Sequence, residues 1–146
     1  MSFFNAMNVS ATGLTAQRLR MDIIAENIAN ANTTRTGGGG PFQRRTVVMR
    51  ESQPAVFSTN LHSAMNAQHL RGGVRVSRIA TDRTPGPRVH DPAHPDADAD
   101  GYVHMPNVNI IMEMVNMISA SRSYEANVTA MDVTRNMIAR TLEIGR

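Results

Sequence analysis

The stretch from Asn107 to Ile144, NVNIIMEMVNMISASRSYEANVTAMDVTRNMIARTLEI, decides the fold. It contains neither Pro nor Gly, the two residues most costly inside a helix, and Gly145 follows it as a stop. At its front, Asn107 or Asn109 offers a side-chain oxygen to the first unpaired N–H groups of a helix. Ile110, Met117, Tyr124, Met131 and Ile138 recur every seven residues, and Met114, Val128 and Leu142 add a second stripe. A repeat of seven sustained along an α-helix implies left-handed supercoiling against a partner helix.

The simplest partner lies at the other end of the same chain. From about Phe3 to Asn32 the sequence reads as one helix, with Met7, Leu14, Met21 and Ile28 again seven apart and Ile24 flanking them. At 1.5 Å per residue it would span about 45 Å. It ends in Thr33-Thr34-Arg35-Thr36, Gly37 to Gly40 and Pro41, which read as a linker or hinge. Between the helices, Arg45 to Met49 and Val74 to Ile79 show the β-branched alternation of short strands, while Ser52 to Arg71 is polar and irregular.

The expected fold is therefore mainly α: an antiparallel coiled coil of long N- and C-terminal helices with a small β and loop insertion. Its segments are 1–32, 33–44, 45–105 and 106–146, the first and last forming the helical core. Leu14, Met21, Ile24 and Ile28 should face Met117, Tyr124, Met131 and Ile138, within one chain or between chains.

Composition narrows the function. With no Cys there is no disulfide, zinc–thiolate site or thiol catalysis. All fifteen basic residues are Arg, yet the formal net charge is only +3 and the arginines are scattered, with Arg44-Arg45 the one adjacent pair. A nucleic-acid surface would cluster them or interleave them with aromatics, so no nucleic-acid partner is expected. No apolar run reaches the ~18 residues of a membrane helix, so no direct membrane insertion is expected, and Met1 to Thr15 lacks the charge of a secretory signal.

Sites that invite a ligand fail on inspection. Asp96-x-Asp98-x-Asp100-Gly101 copies half of a calcium loop, but Asn107 stands where the bidentate Glu belongs and Pro92 and Pro95 interrupt the entering helix. His90 and His94 have a helical metal-ligand spacing in a segment those prolines keep from being helical. His62 and His69 read as solvent-exposed. No Ser-His-Asp arrangement or phosphate loop stands out, so neither catalysis nor a metal or other cofactor is expected.

The helix surfaces are more informative. Phe3 to Asn32 has only four charged side chains, Arg18, Arg20, Asp22 and Glu26, where a surface helix of a small protein shows a charged outer face. Ile110, Ile111, Met112, Met114, Val115, Met117 and Ile118 surround much of the second helix, more than one partner helix can cover. Either a larger bundle or other subunits bury them.

Three segments carry a resemblance. Asn27-Ile28-Ala29-Asn30-Ala31-Asn32-Thr33 resembles the end of the N-terminal helix in flagellar rod and hook proteins. Asn107 to Asn127, with Val89 to Val103 before it, is similar to the proximal members of the bacterial flagellar basal-body rod protein family. The resemblance implies a structural subunit that polymerises into a tubular drive shaft, transmits torque and lines the export channel. It implies copies of itself and other rod proteins as partners, near the export apparatus and the MS ring. It also implies type III export across the periplasm without a cleaved signal. Asn27, Asn30, Asn32 and Arg122 are then expected to make polar contacts between subunits. The competing expectation is a cytoplasmic coiled-coil adaptor that folds as a discrete oligomer.

Overall fold

The computed structural model describes residues 3–52 and 72–144. Two helices dominate them: α1, Phe3–Ala29, and α2, Ile110–Ile144. Asn109 caps α2, its Oδ1 accepting the Met112 N–H at 3.1 Å while its carbonyl accepts the Glu113 N–H at 3.0 Å. The end of α1 tightens rather than running on to Asn32. The Ala31 N–H bonds to the Ile28 carbonyl and the Thr33 N–H to that of Asn30, while the Asn30 side chain donates to the Glu26 carbonyl at 2.9 Å. These bonds occupy carbonyls that the last turn leaves free.

The helices lie against each other in opposite directions. Asn27 meets Glu113, and Gly13, fourteen residues back along α1, meets Asn127, fourteen residues forward along α2. At Gly13 the approach is so close that a Cβ would stand 2.9 Å from the Asn127 Oδ1.

Among the described residues of the insertion, two antiparallel ribbons form. Strands β1 (Arg45–Glu51) and β2 (Val74–Thr81) pair from Arg45 opposite Thr81 to Glu51 opposite Val74, with a bulge between Val48 and Met49. The pairing continues at both ends through Asp82 N–H to Arg44 O, 2.8 Å, and Ser52 N–H to Gly73 O, 2.9 Å. Val47, Met49 and Val76 are half-buried, and the ribbon rests on α1. Thr12 holds it there, its hydroxyl donating to the Val9 carbonyl at 2.7 Å and accepting the Val74 N–H at 3.1 Å. Gly73, at φ 111°, is needed for that approach, because a Cβ would stand 2.8 Å from the Thr12 Oγ1. The strands expected at Arg45–Met49 and Val74–Ile79 are thus present and somewhat longer. The expectations for 53–71, including His62 and His69, lie outside the described residues.

The second ribbon, β3 (Arg88–His90) with β4 (Tyr102–His104), was not legible as strands. Each has three residues, and the turns between them carry Pro92, Pro95 and four aspartates. The tetraglycine segment turns back on itself. Thr36 and Gly40 close a tight loop through the Thr36 N–H to Gly40 O bond of 2.9 Å, and Phe42 is buried just after it, its N–H on the Thr33 carbonyl at 3.0 Å.

Among the described residues the buried apolar set is small: Ala16, Ile23, Ile24, Ala31, Phe42, Val103 and Ala120. The largest fully buried side chains are polar, Glu113 and Asn27. That inversion sets up the functional surface.

Candidate assembly surface

Where α1, α2 and the β1–β2 ribbon converge, one polar knot joins them. Asn27 has no exposed surface, and its side-chain amide pairs with the backbone of Arg45 as a neighbouring strand would. It donates to the Arg45 carbonyl at 2.8 Å and accepts the Arg45 N–H at 2.9 Å. Its remaining donor reaches Glu113 Oε2 at 2.9 Å. The other oxygen, Oε1, takes both Nε and Nη2 of Arg44, at 2.9 and 2.7 Å, and the Asn116 amide at 3.3 Å. A carboxylate 1% exposed is tolerable only when its lone pairs are met in this way.

Asn107 extends the knot, accepting the Arg44 N–H at 2.8 Å and donating to the Asp82 carbonyl at 3.0 Å. Next to it, the hydroxyl and the backbone N–H of Thr84 both donate to Asp82, at 2.6 and 3.0 Å. Those bonds hold the Asp82 carboxyl below the ordinary carboxylate range against a smaller opposing effect of desolvation, and the Arg44 charge adds the least.

The seam between the helices is built mostly from small and polar side chains, with Ile23 the large apolar exception. Along α2 it reads Glu113, Ala120, Asn127 and Thr134, seven residues apart; Glu113, Ala120 and Thr134 are buried and Asn127 half-buried. On α1, Ala16, Ile23 and Asn27 are buried and Gly13 and Arg20 half-buried.

The large apolar stripes expected at the centre flank this seam instead. Ile24 is buried, while Met7, Leu14, Met21 and Ile28 are half-buried. On α2, Met117, Tyr124, Met131 and Ile138 are half-buried, four residues beyond each seam position. Ile110, Met114, Val128 and Leu142 are exposed and contribute no core within this chain. The physical reason is close approach: at Gly13 there is no room for even a Cβ against Asn127, and Ala16 and Ala120 are the small residues buried nearby, so the long side chains splay outward.

The polar expectations separate likewise. Asn27 is saturated inside the chain and has no surface to offer another subunit. Asn30 caps α1 and accepts the Thr33 hydroxyl at 3.2 Å. Asn32 and Arg122 are exposed. Glu113, Arg44 and Gly13 were not singled out from sequence; the one signal was an acidic residue alone in the apolar run that opens α2.

Around the first turns of α2, Ile111 (70% exposed), Met112, Met114, Val115 and Ile118 leave an apolar face uncovered. A second group, Phe4, Val133, Met137 and Leu142, stands uncovered toward the far ends of the helices. Clustered apolar exposure of this kind marks contact with other macromolecules. No helix among the described residues is long and apolar enough to cross a membrane. In the acidic turns, Asp96 accepts the Thr34 hydroxyl at 2.8 Å and lies 3.6 Å from Arg35. Asp98 pairs with His104 at 3.0 Å, and His90 stacks edge-on with Tyr102.

Paired terminal helices with uncovered apolar faces define a class of assembly subunits, and comparison with known proteins agrees. The family profile described as flagella basal body rod protein matches residues 7–35, and the profile of the flagellar basal body rod FlgEFG protein C-terminal region matches residues 99–144. The flagellar basal-body rod protein FlgC of Bacillus subtilis strain 168 is 46% identical over the full length of both chains. FlgC of Borreliella burgdorferi is 44% identical over 99% of this chain and 98% of its own, and FlgC of Escherichia coli O6:H1 is 36% identical over the whole of both. The chain belongs to the FlgC family of flagellar basal-body rod proteins.

Proposed function

We propose that the chain is a structural, non-enzymatic subunit of the proximal flagellar rod. Its α1–α2 pair would be a coiled-coil protomer, packed with copies of itself and other rod proteins into a tube that transmits torque and lines the export channel. The observation that carries this is the uncovered apolar face of Ile111, Met112, Met114, Val115 and Ile118, beside a seam that holds the two helices together without those side chains.

The burial repeat of seven at Glu113, Ala120, Asn127 and Thr134 supports supercoiling, since a straight helix would drift by about 20° per heptad away from its partner. In the assembly, Ile110, Met114, Val128 and Leu142 meet other subunits, as do Asn32 and Arg122. The export apparatus and the MS ring are the expected neighbours at the base. The setting is a rod that crosses the periplasm, reached by type III export without a cleaved signal.

The test is amide hydrogen exchange on the purified chain and on the same chain in extracted basal bodies. Residues 110–118 and 128–142 should gain strong protection on assembly. Equal protection in both states would instead favour a self-sufficient adaptor.

A further inference from the structure

The β1–β2 ribbon carries a charge arrangement that the described residues leave unanswered. Arg50 and Arg75 are directly opposite in the strand register, and Val48, two residues earlier on the face of Arg50, is opposed by Arg78. Directly opposed side chains stand about 5 Å apart at their Cβ atoms, and like charges there destabilise the pair. All three guanidinium groups are exposed, and none has a hydrogen bond or ion pair among the described residues. Residues 53–71, which connect the two strands, contain no Asp or Glu that could neutralise them.

The complementary charge lies elsewhere on the same chain. Residues 88–104 hold four aspartates against one arginine. Asp96 is engaged with Thr34 and Arg35, and Asp98 pairs with His104. Asp91 and Asp100 are exposed, with no cationic partner among the described residues. The β3–β4 ribbon makes no contact with the β1–β2 ribbon, so the two surfaces do not meet within one chain.

We infer that the Arg50, Arg75 and Arg78 face is a docking surface for the acidic β3–β4 turn of a second copy of this chain. Two different patches that pair between copies make a heterologous contact, the kind that closes into rings or runs on as helical arrays. The inference deepens the rod reading and rests on it: the apolar helix faces supply adhesion, while the arginine face sets register and excludes wrong neighbours.

Charge reversal in cells tests it, with incorporation per extracted basal body as the readout. Arg50→Glu, Arg75→Glu and Arg78→Glu together should lower incorporation about tenfold, and Asp91→Arg with Asp100→Arg should do the same. All five substitutions in one chain should restore it to within about twofold of the unaltered chain. Circular dichroism of each purified variant checks that the helices remain. The inference is overturned if either reversal incorporates normally, or if the combined chain stays deficient with its helices intact. Ile111→Asp separates this from the rod reading: it should block incorporation regardless of the arginines, and normal incorporation would sink the helix-face reading instead.

Discussion

Removing the Asn27 amide should unlock the β1–β2 ribbon from both helices at once. In Asn27→Ala three bonds of 2.8 to 2.9 Å disappear, leaving the Arg45 N–H and carbonyl and the Glu113 Oε2 without their partner. Each polar group stranded in this way costs about 1–3 kcal/mol, less where water can reach it. Water reaches the strand end more easily than Glu113, so the sum is about 4 kcal/mol. With a urea slope of about 2 kcal/mol/M, the unfolding midpoint should drop by about 2 M. Asn27→Asp keeps the shape, loses both donors and sets a second carboxylate against Glu113. It should cost at least as much near neutral pH. The knot lies within one chain, so urea unfolding of the purified subunit reads it, with amide exchange at Arg45 reporting the local bond. If both substitutions cost under about 1 kcal/mol and the Arg45 N–H stays protected, the knot does not hold the ribbon.

Other perturbations have equally definite outcomes. Gly86→Ala should destabilise the chain by about 3 kcal/mol or more in the same urea assay, because a Cβ there collides with the backbone carbonyls of Met105 and Pro106 and the loop cannot yield as a side chain would. Thr84→Val removes the hydroxyl that holds the Asp82 carboxyl low. A depressed carboxyl stabilises the fold above its unfolded value and loses that contribution as pH falls through its folded value, so the difference from the unaltered chain should be present near neutral pH and vanish in strong acid. Val115→Asp should leave the unfolding midpoint of the isolated subunit within about 0.5 kcal/mol of unchanged, since the side chain is already exposed, yet abolish incorporation into basal bodies. Truncation at Leu142 should also prevent incorporation, and normal rods from that chain would contradict a role for the end of α2.

Much of this architecture could be read from the sequence, and the part of the helical seam that could not has one cause. Two long helices were legible from their period and from the absence of Pro and Gly in 107–144, and the β1–β2 strands from their alternating Val and Ile. The period of seven was legible too, but its phase was not. Hydrophobic periodicity finds large apolar residues, and here the seam is Gly13, Ala16, Asn27, Glu113, Ala120 and Thr134. Close helix approach selects small residues, and the polar ones survive burial because partners distant in sequence, Arg44 and Arg45 above all, satisfy them. A reading of one segment at a time cannot see such a partner. The three-residue strands β3 and β4 escaped because neither is long enough to show alternation.

The same inversion bears on assembly. A protomer that spent its large apolar side chains on its own core would arrive at a polymer with little left to bury against its neighbours. Here the two helices are held by close backbone approach and a saturated polar knot, while Ile111, Met112, Val115, Ile118 and Leu142 stay uncovered. A buried, hydrogen-bonded polar cluster adds little net stability over apolar packing, but it penalises every misaligned register, because any slip strands a charge. The knot thus fixes how α1, α2 and the ribbon sit before any neighbour arrives. Mutations in the knot should therefore be felt in the free subunit, and mutations on the apolar face only once subunits meet.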